Sequence, residues 1–238
     1  CLDAIYKEKE NYIPKLGIKW NDPPKIILEG FGRAGMEVGK QLKKRNYMLN
    51  GVSTIKGAVF DENGLNIEEL IKLKKEFGDD FVFHYKSGNA FNIDENKLFE
   101  LSSEYSIDFI IPGARPDSIN KENFEKIKPN VILPVSHCPY EENIPANLEK
   151  NGVFAFPDFV SNAGDILALH SRQKAMSNLE IEEYIAAQIV AKTKELMENT
   201  NKEDIDLYSF AKEKALEDLK KKRIRRRKHV ERLDEAMD

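Results

Sequence analysis

The chain has 238 residues, 41% of them hydrophobic and 33% charged, enough apolar side chain for a sizeable core but without the run of about 18 that spans a bilayer. Its formal net charge is −4, from 37 basic and 41 acidic side chains; eight basic residues crowd into 220–228, so the remainder carries −12. So acidic a body lacks the broad basic face of a nucleic-acid binder, and two distant cysteines with four scattered histidines exclude a disulfide framework and argue against a metal site.

The chain opens on a helical pattern, Leu2, Ala4, Ile5, Tyr6, Tyr12 and Ile13, that has no evident start. Residues 1–24 are therefore read as a helix and linker leading in from a domain upstream. No signal-peptide order of basic, apolar and small residues follows, and the expected compartment is the cytoplasm. From residue 25, short runs rich in Val, Ile and Phe alternate with segments at helical spacing. Strands are expected at 25–29, 51–55, 81–85, 108–111, 131–135 and 153–156. Helices are expected between them at 34–45, 67–77, 95–105 and 144–151. Asp61-Glu62-Asn63-Gly64 reads as a turn, and Asn66 as the N-cap of the helix at 67–77, with Glu68 and Glu69 in its first turn. Pro112-Gly113 and Pro157-Asp158 end the fourth and sixth strands. After Gly164 the alternation stops, and two long helices are expected at about 165–199 and 205–236. The order predicts an α/β protein: a mostly parallel, doubly wound sheet over 25–164, followed by C-terminal helices over 165–238.

Gly30-Phe31-Gly32-Arg33-Ala34-Gly35 has the spacing GxGxxG, directly after the first strand and at the mouth of the first helix. In that setting Gly30 permits a tight turn, Gly32 lets the backbone approach a pyrophosphate, and Gly35 lets helix and strand pack closely. The free N–H groups of the helix start would face the phosphates. This is the Rossmann-type arrangement for a dinucleotide. Such folds place an acid after the second strand to bond the ribose 2′-hydroxyl, but this chain has Ser53, Thr54, Ile55 and Lys56. Lys56 with Arg33 could instead neutralise a 2′-phosphate, which leans towards NADP over NAD; the alternative is that Lys56 is a solvated turn residue. Arg115, at a strand's carboxyl end, is either a ligand contact or a surface ion pair. His84 reads as a core or edge residue of its strand. His137 and Cys138, as chain neighbours on a strand, would point apart and form no nucleophile pair. The basic run at 220–228 is either a solvated helix face or a contact for phosphate, nucleic acid or an acidic subunit.

Four blocks, EGFGRAG (29–35), KGAVFDENGLNIEEL (56–70), FIIPGA (109–114) and PDFVSNAG (157–164), resemble the cofactor domain of the glutamate, leucine, phenylalanine and valine dehydrogenases, with matching order over 15–175. The resemblance implies reversible oxidative deamination of an L-amino acid, most closely glutamate, to its 2-oxo acid with NAD(P), in a homo-oligomer, a hexamer by resemblance. It implies that the catalytic lysine and aspartate lie in an N-terminal substrate domain, so this chain holds no catalytic residue and by itself is expected to be inactive. It places the phosphates at Gly30, Gly32 and Gly35, with Phe31, Arg33 and Ala34 in the same loop, and nicotinamide-side contacts at Ala114 and Asn162. Asn162 has a second reading, as the N-cap of the next helix. His137 falls where the family has the Asn of ANGPT, and Asp165 where it has the second Gly of NAGG. These departures keep a second function open: a non-catalytic dinucleotide-binding or regulatory paralogue.

Overall fold

The computed structural model describes residues 1–9, 19–174, 176–200 and 206–235, with side chains to 224 in the last segment. Leu2–Lys7 forms α1, and Lys25–Glu29 forms β1. Arg33–Lys44 is α2, followed by a hairpin of β2, Met48–Thr54, and β3, Gly57–Phe60. Ile67–Phe77 is α3 and Phe81–His84 a single-turn α4. Strand β4, Phe91–Ile93, leads into a 3-10 helix, Glu95–Glu100, and α5, Leu101–Glu104. Then come β5, Phe109–Ile111; β6, Val131–Ile132; α6, Ile144–Lys150; and β7, Phe154–Ala155. The remaining helices are α7, Asp158–Ser161; α8, Gly164–Arg172; α9, Asn178–Thr200; and α10, Leu207–Glu235.

The strands make one seven-stranded sheet in the order β4-β3-β2-β1-β5-β6-β7, and only β3 runs against the rest. The mostly parallel α/β architecture expected from the alternation of elements is therefore present. Its doubly wound character is written in the strands with period two. Ile26, Leu28, Phe109, Ile111, Val131 and Phe154 join one buried cluster, and Ile27, Ile110, Ile132 and Ala155 the other. Strands buried on both faces need helices on both faces. Leu42, Leu70, Phe81 and Leu196 cover the first face, and Leu98, Ile144 and Leu148 the second.

The expected third strand at 81–85 is a helix instead. Phe81, Val82 and Tyr85 are buried while Phe83 is 43% exposed, and burial at i, i+1 and i+4 is a helical face; a strand would have buried 81, 83 and 85. His84 accordingly lies outside the sheet, exposed and stacked on Phe77 at 3.8 Å between ring centroids. The two additional strands come from the hairpin at Ile55-Lys56 and from the short return strand β4. The first expected C-terminal helix breaks between Arg172 and Asn178. Ser177 and Glu180 restart it reciprocally: Ser177 N and Oγ donate to Glu180 Oε2 (2.8 and 2.7 Å), and Glu180 N donates to Ser177 Oγ (3.4 Å), a capping box. The expected helical positions Tyr12 and Ile13 lie outside the described residues.

Two buried polar side chains position the central strands. Asn50, fully buried beside the β1 irregularity at Ile26/Ile27, accepts from Ile26 N (3.2 Å) and donates to the carbonyls of Asp61 and Glu62 (3.2 and 2.9 Å). On the other side of β1, before β5, Asp108, also fully buried, accepts from Lys25 N (2.8 Å) and from the side chains of Asn21 and Asn130 (both 2.9 Å). Each carries backbone hydrogen bonds that the ladder leaves open.

Candidate functional site

Strand β1 is followed in the chain by β2 on one side, while its other neighbour, β5, arrives much later. The connections after β1 and β5 therefore leave in opposite directions, opening a crevice at their carboxyl ends, where ligands bind in open α/β sheets. Glycine lines that crevice for three physical reasons. Gly30 has φ 85°, and its N–H donates to Ser53 O (3.1 Å), tying the loop to β2. A Cβ on Gly35 would lie 2.1 Å from Gly30 O, and one on Gly113 2.6 Å from Glu29 O, so both positions exclude a side chain. Gly32, by contrast, is the N-cap of α2 with an ordinary φ of −78°, and a Cβ there would meet nothing within 4 Å. The turn itself is not strained at Gly32; the space it leaves is open to a ligand.

The first helical hydrogen bond of α2 runs from Met36 N to Gly32 O (2.9 Å), so the N–H groups of Arg33, Ala34 and Gly35 have no partner in the preceding turn. Arg33 and Ala34 are exposed there. Phe31 is different: its ring is buried against Phe81, 5.3 Å between centroids, so only its backbone faces the loop. Ala114 meets the glycine loop directly, since a Cβ on Gly30 would stand 3.1 Å from Ala114 Cβ.

At the end of β2, Thr54 is buried and doubly engaged. Its Oγ1 donates to Asp79 O (3.0 Å) and accepts from Lys56 N (3.1 Å). This pins the two-residue hairpin and leaves Lys56 exposed on it. Arg115 forms an ion pair, Nε to Glu29 Oε1 at 3.3 Å, and its Nη2 donates to Asn96 Oδ1 (2.6 Å). Glu29 and Asn96 were not singled out from the sequence. An acid as the last strand residue before the glycine loop was the available signal for Glu29. Burial pushes its carboxyl above the ordinary range, opposed by Arg115 and by the backbone N–H groups of Ala114 and Gly113.

Beyond β6 and β7 the structure brings His137 and Asn162 together. Asn162 Nδ2 donates to Ser136 O (3.1 Å) and lies 3.0 Å from His137 Nδ1. With that nitrogen as donor, the ring accepts through Nδ1 and holds its own proton on Nε2. Asn162 does not N-cap the following helix: it is the C-cap of α7, and Ala163 occupies the N-cap of α8. Asp158, buried at the start of α7, accepts from Cys138 N (2.9 Å) and from Tyr208 OH (3.4 Å), fixing the loop on which His137 sits. Thus Gly30 and Ala114 meet at the centre of the edge, Thr54 and Lys56 on the β2 side, and His137 and Asn162 on the β6–β7 side. Among the described residues no group of three or more His, Cys, Asp or Glu side chains could hold a metal ion, and no helix is long and apolar enough to cross a membrane.

A family model described as Glutamate/Leucine/Phenylalanine/Valine dehydrogenase matches residues 9–227. Glutamate dehydrogenase of Aeropyrum pernix is 28% identical over 145 residues, 61% of this chain and 33% of that protein. NAD-specific glutamate dehydrogenase of Staphylococcus aureus is 28% identical over 144 residues, 60% of this chain and 32% of its own length. The chain thus matches about a third of each of these relatives. The hetero-hexameric glutamate dehydrogenase of Thermus thermophilus has a similar fold, with a TM-score of 0.67 and 17% identity over 86% of this chain and 47% of that one. L-tryptophan dehydrogenase of Nostoc punctiforme gives 0.61 and 16% over 87% and 55%.

Proposed function

The chain belongs to the glutamate/leucine/phenylalanine/valine dehydrogenase family, and from that premise we propose that residues 25–164 are the dinucleotide-binding part of an amino-acid dehydrogenase. The observation that carries the proposal is the contrast within one loop. Gly30 and Gly35 are glycine because of the protein around them, whereas the space beside Gly32 is empty at the start of α2, where free N–H groups and the helix dipole attract phosphate. The residues fit a pyrophosphate there.

In this reading the α2 start holds the diphosphate, the β2 end carries the adenosine ribose, and Ala114, His137 and Asn162 border the nicotinamide. The amide of Asn162 spends both hydrogens on Ser136 O and His137 Nδ1, which presents Oδ1 as the acceptor for a carboxamide or ribose hydroxyl. Bound there, NAD(P) would supply the hydride acceptor for the amino acid's α-carbon, and the part of Ala114, His137 and Asn162 would be to hold the nicotinamide ring in reach of it. The substrate is an L-amino acid, glutamate first, bound by a further domain, and the assembly is a homo-hexamer. Lys56 without a neighbouring acid at 53–55 favours NADP at least equally with NAD. Isothermal titration with both cofactors tests this. Gly32→Val should abolish binding, and Lys56→Glu should weaken NADP more than NAD. Undiminished binding by Gly32→Val would end the proposal.

A non-catalytic dinucleotide sensor is the second reading, favoured by His137 and Asp165 standing where the family has Asn and Gly. Turnover of the longer protein on an amino-acid panel would eliminate it.

A further inference from the structure

We propose that Glu29 is a positioning residue that holds Arg115 against the adenosine half of the dinucleotide; this rests on the dinucleotide-binding reading above. Glu29 is 6% exposed at the last position of β1. A carboxylate so buried costs several kcal/mol unless its charge and lone pairs are met. Every group that meets it comes from the segment after β5. Ala114 N donates to Oε2 at 3.3 Å, Arg115 Nε pairs with Oε1 at 3.3 Å, and the buried Ser118 hydroxyl faces it without closing a hydrogen bond. The residue after β1 is Gly30, whose φ of 85° and close approach to Gly113 and Ala114 make the two loops one packed unit.

The far end of Arg115 sets which half of the cofactor it meets. Asn96, which takes Nη2 at 2.6 Å, lies in the first turn of the 3-10 helix after β4. Strand β4 runs parallel to β1 and β2, so Asn96 stands at the same sheet edge, on the β4-β3-β2 side of the crevice. That is the side of the adenosine ribose, at the end of β2. His137 and Asn162 stand on the other side. Arg115 thus spans from β1 towards the adenosine side, held at Nε and Nη2. Its side chain remains 49% exposed, with Nη1 lacking a protein acceptor among the described residues. A guanidinium fixed at two points offers a planar face to adenine and a free N–H to a ribose or phosphate oxygen. Lysine could not be held this way.

The test is isothermal titration of the chain with ADP and with NAD, for wild type, Glu29→Gln, Arg115→Ala, Arg115→Lys and the Glu29→Gln/Arg115→Ala double variant. Each single variant should weaken ADP by about tenfold, NAD should lose the same factor as ADP, and the double variant should lose no more than Arg115→Ala alone. Arg115→Lys should not rescue. A merely structural Glu29 would lower thermal stability without this equality and would act additively with Arg115→Ala. Unchanged ADP affinity in Arg115→Ala, or a loss confined to NAD, would overturn the assignment alone. A wild-type chain that binds neither ligand would overturn the dinucleotide reading itself, and this inference with it.

Discussion

Three glycines in one loop answer to different constraints, and substitution separates them. Gly35→Ala drives a Cβ to 2.1 Å from a backbone oxygen and should destabilise the fold by on the order of 3 kcal/mol, as overpacking against an immovable group does. Gly32→Ala meets nothing within 4 Å at φ −78°, so its unfolding free energy should stay within about 0.5 kcal/mol of wild type. Denaturant titration decides both, and equal losses would mean that the loop is not built as described. Glu149 gives a second prediction at this scale. Burial raises its carboxyl from the ordinary 4.5 to about 8, against the N–H of Leu207, which donates to Oε1 at 2.8 Å, and with Asp206 adding repulsion. The folded value lies above the unfolded one, so below the unfolded value both states hold the proton and nothing is lost. As pH rises from about 4.5 to about 8 the unfolded chain ionises first, and stability falls until the folded group has ionised too. Glu149→Gln should therefore raise the melting temperature near about pH 9 and leave it nearly unchanged near about pH 5. Parallel wild-type and variant profiles would refute this.

At the scale of elements, helix starts carry their own chemistry. Asn66 Oδ1 accepts from Glu68 N and Glu69 N (3.0 and 3.2 Å) at the start of α3, and Asn66→Ala should cost about 1 kcal/mol in urea unfolding. No loss would show that α3 is held by packing alone. This cap, α3 and its bounds, and β1 were legible in the sequence, because each is governed by chain neighbours: a side-chain cap, a 3.6-residue period, an apolar run ended by glycine. The segment at 81–85 was not, since aromatic and β-branched residues in a five-residue run suit either a strand or one turn of helix, and the buried set is chosen by α3 and β3 packing on it. The β2–β3 hairpin did have a local signal, two apolar runs separated by Ile55-Lys56. The place of the glycine loop between β1 and α2, and the tight fit at Gly30 and Gly35, were legible. Glu29 with Arg115, and His137 with Asn162, were not legible as pairs, because their partners lie 86 and 25 positions apart in the chain and only sheet order joins them.

At the scale of the whole molecule, the sheet collects its crevice loops at one edge, and their composition bears on what this chain does alone. The loops 30–35, 112–115, 136–138 and 158–163 contain glycine, arginine, histidine and aspartate but no lysine, and the lysine at this edge, Lys56, sits in the hairpin after β2. Activating an α-amino group for hydride loss needs a base and a cation placed at the α-carbon. Two of the acids present are already engaged, Asp158 with Cys138 N and Tyr208 and Glu29 with Arg115 and Ala114 N, and the exposed cations Arg33 and Lys56 stand at the glycine loop and the β2 end, away from His137 and Asn162. Residues 1–238 by themselves should therefore bind dinucleotide yet reduce no NAD(P) with any amino acid. The decisive assay pairs titration with absorbance of the reduced cofactor over a panel of L-amino acids. Binding without reduction is the expected result. Amino-acid-dependent reduction by residues 1–238 would place the reaction's acid–base chemistry within this edge, with Asp158 and His137 the first side chains to substitute.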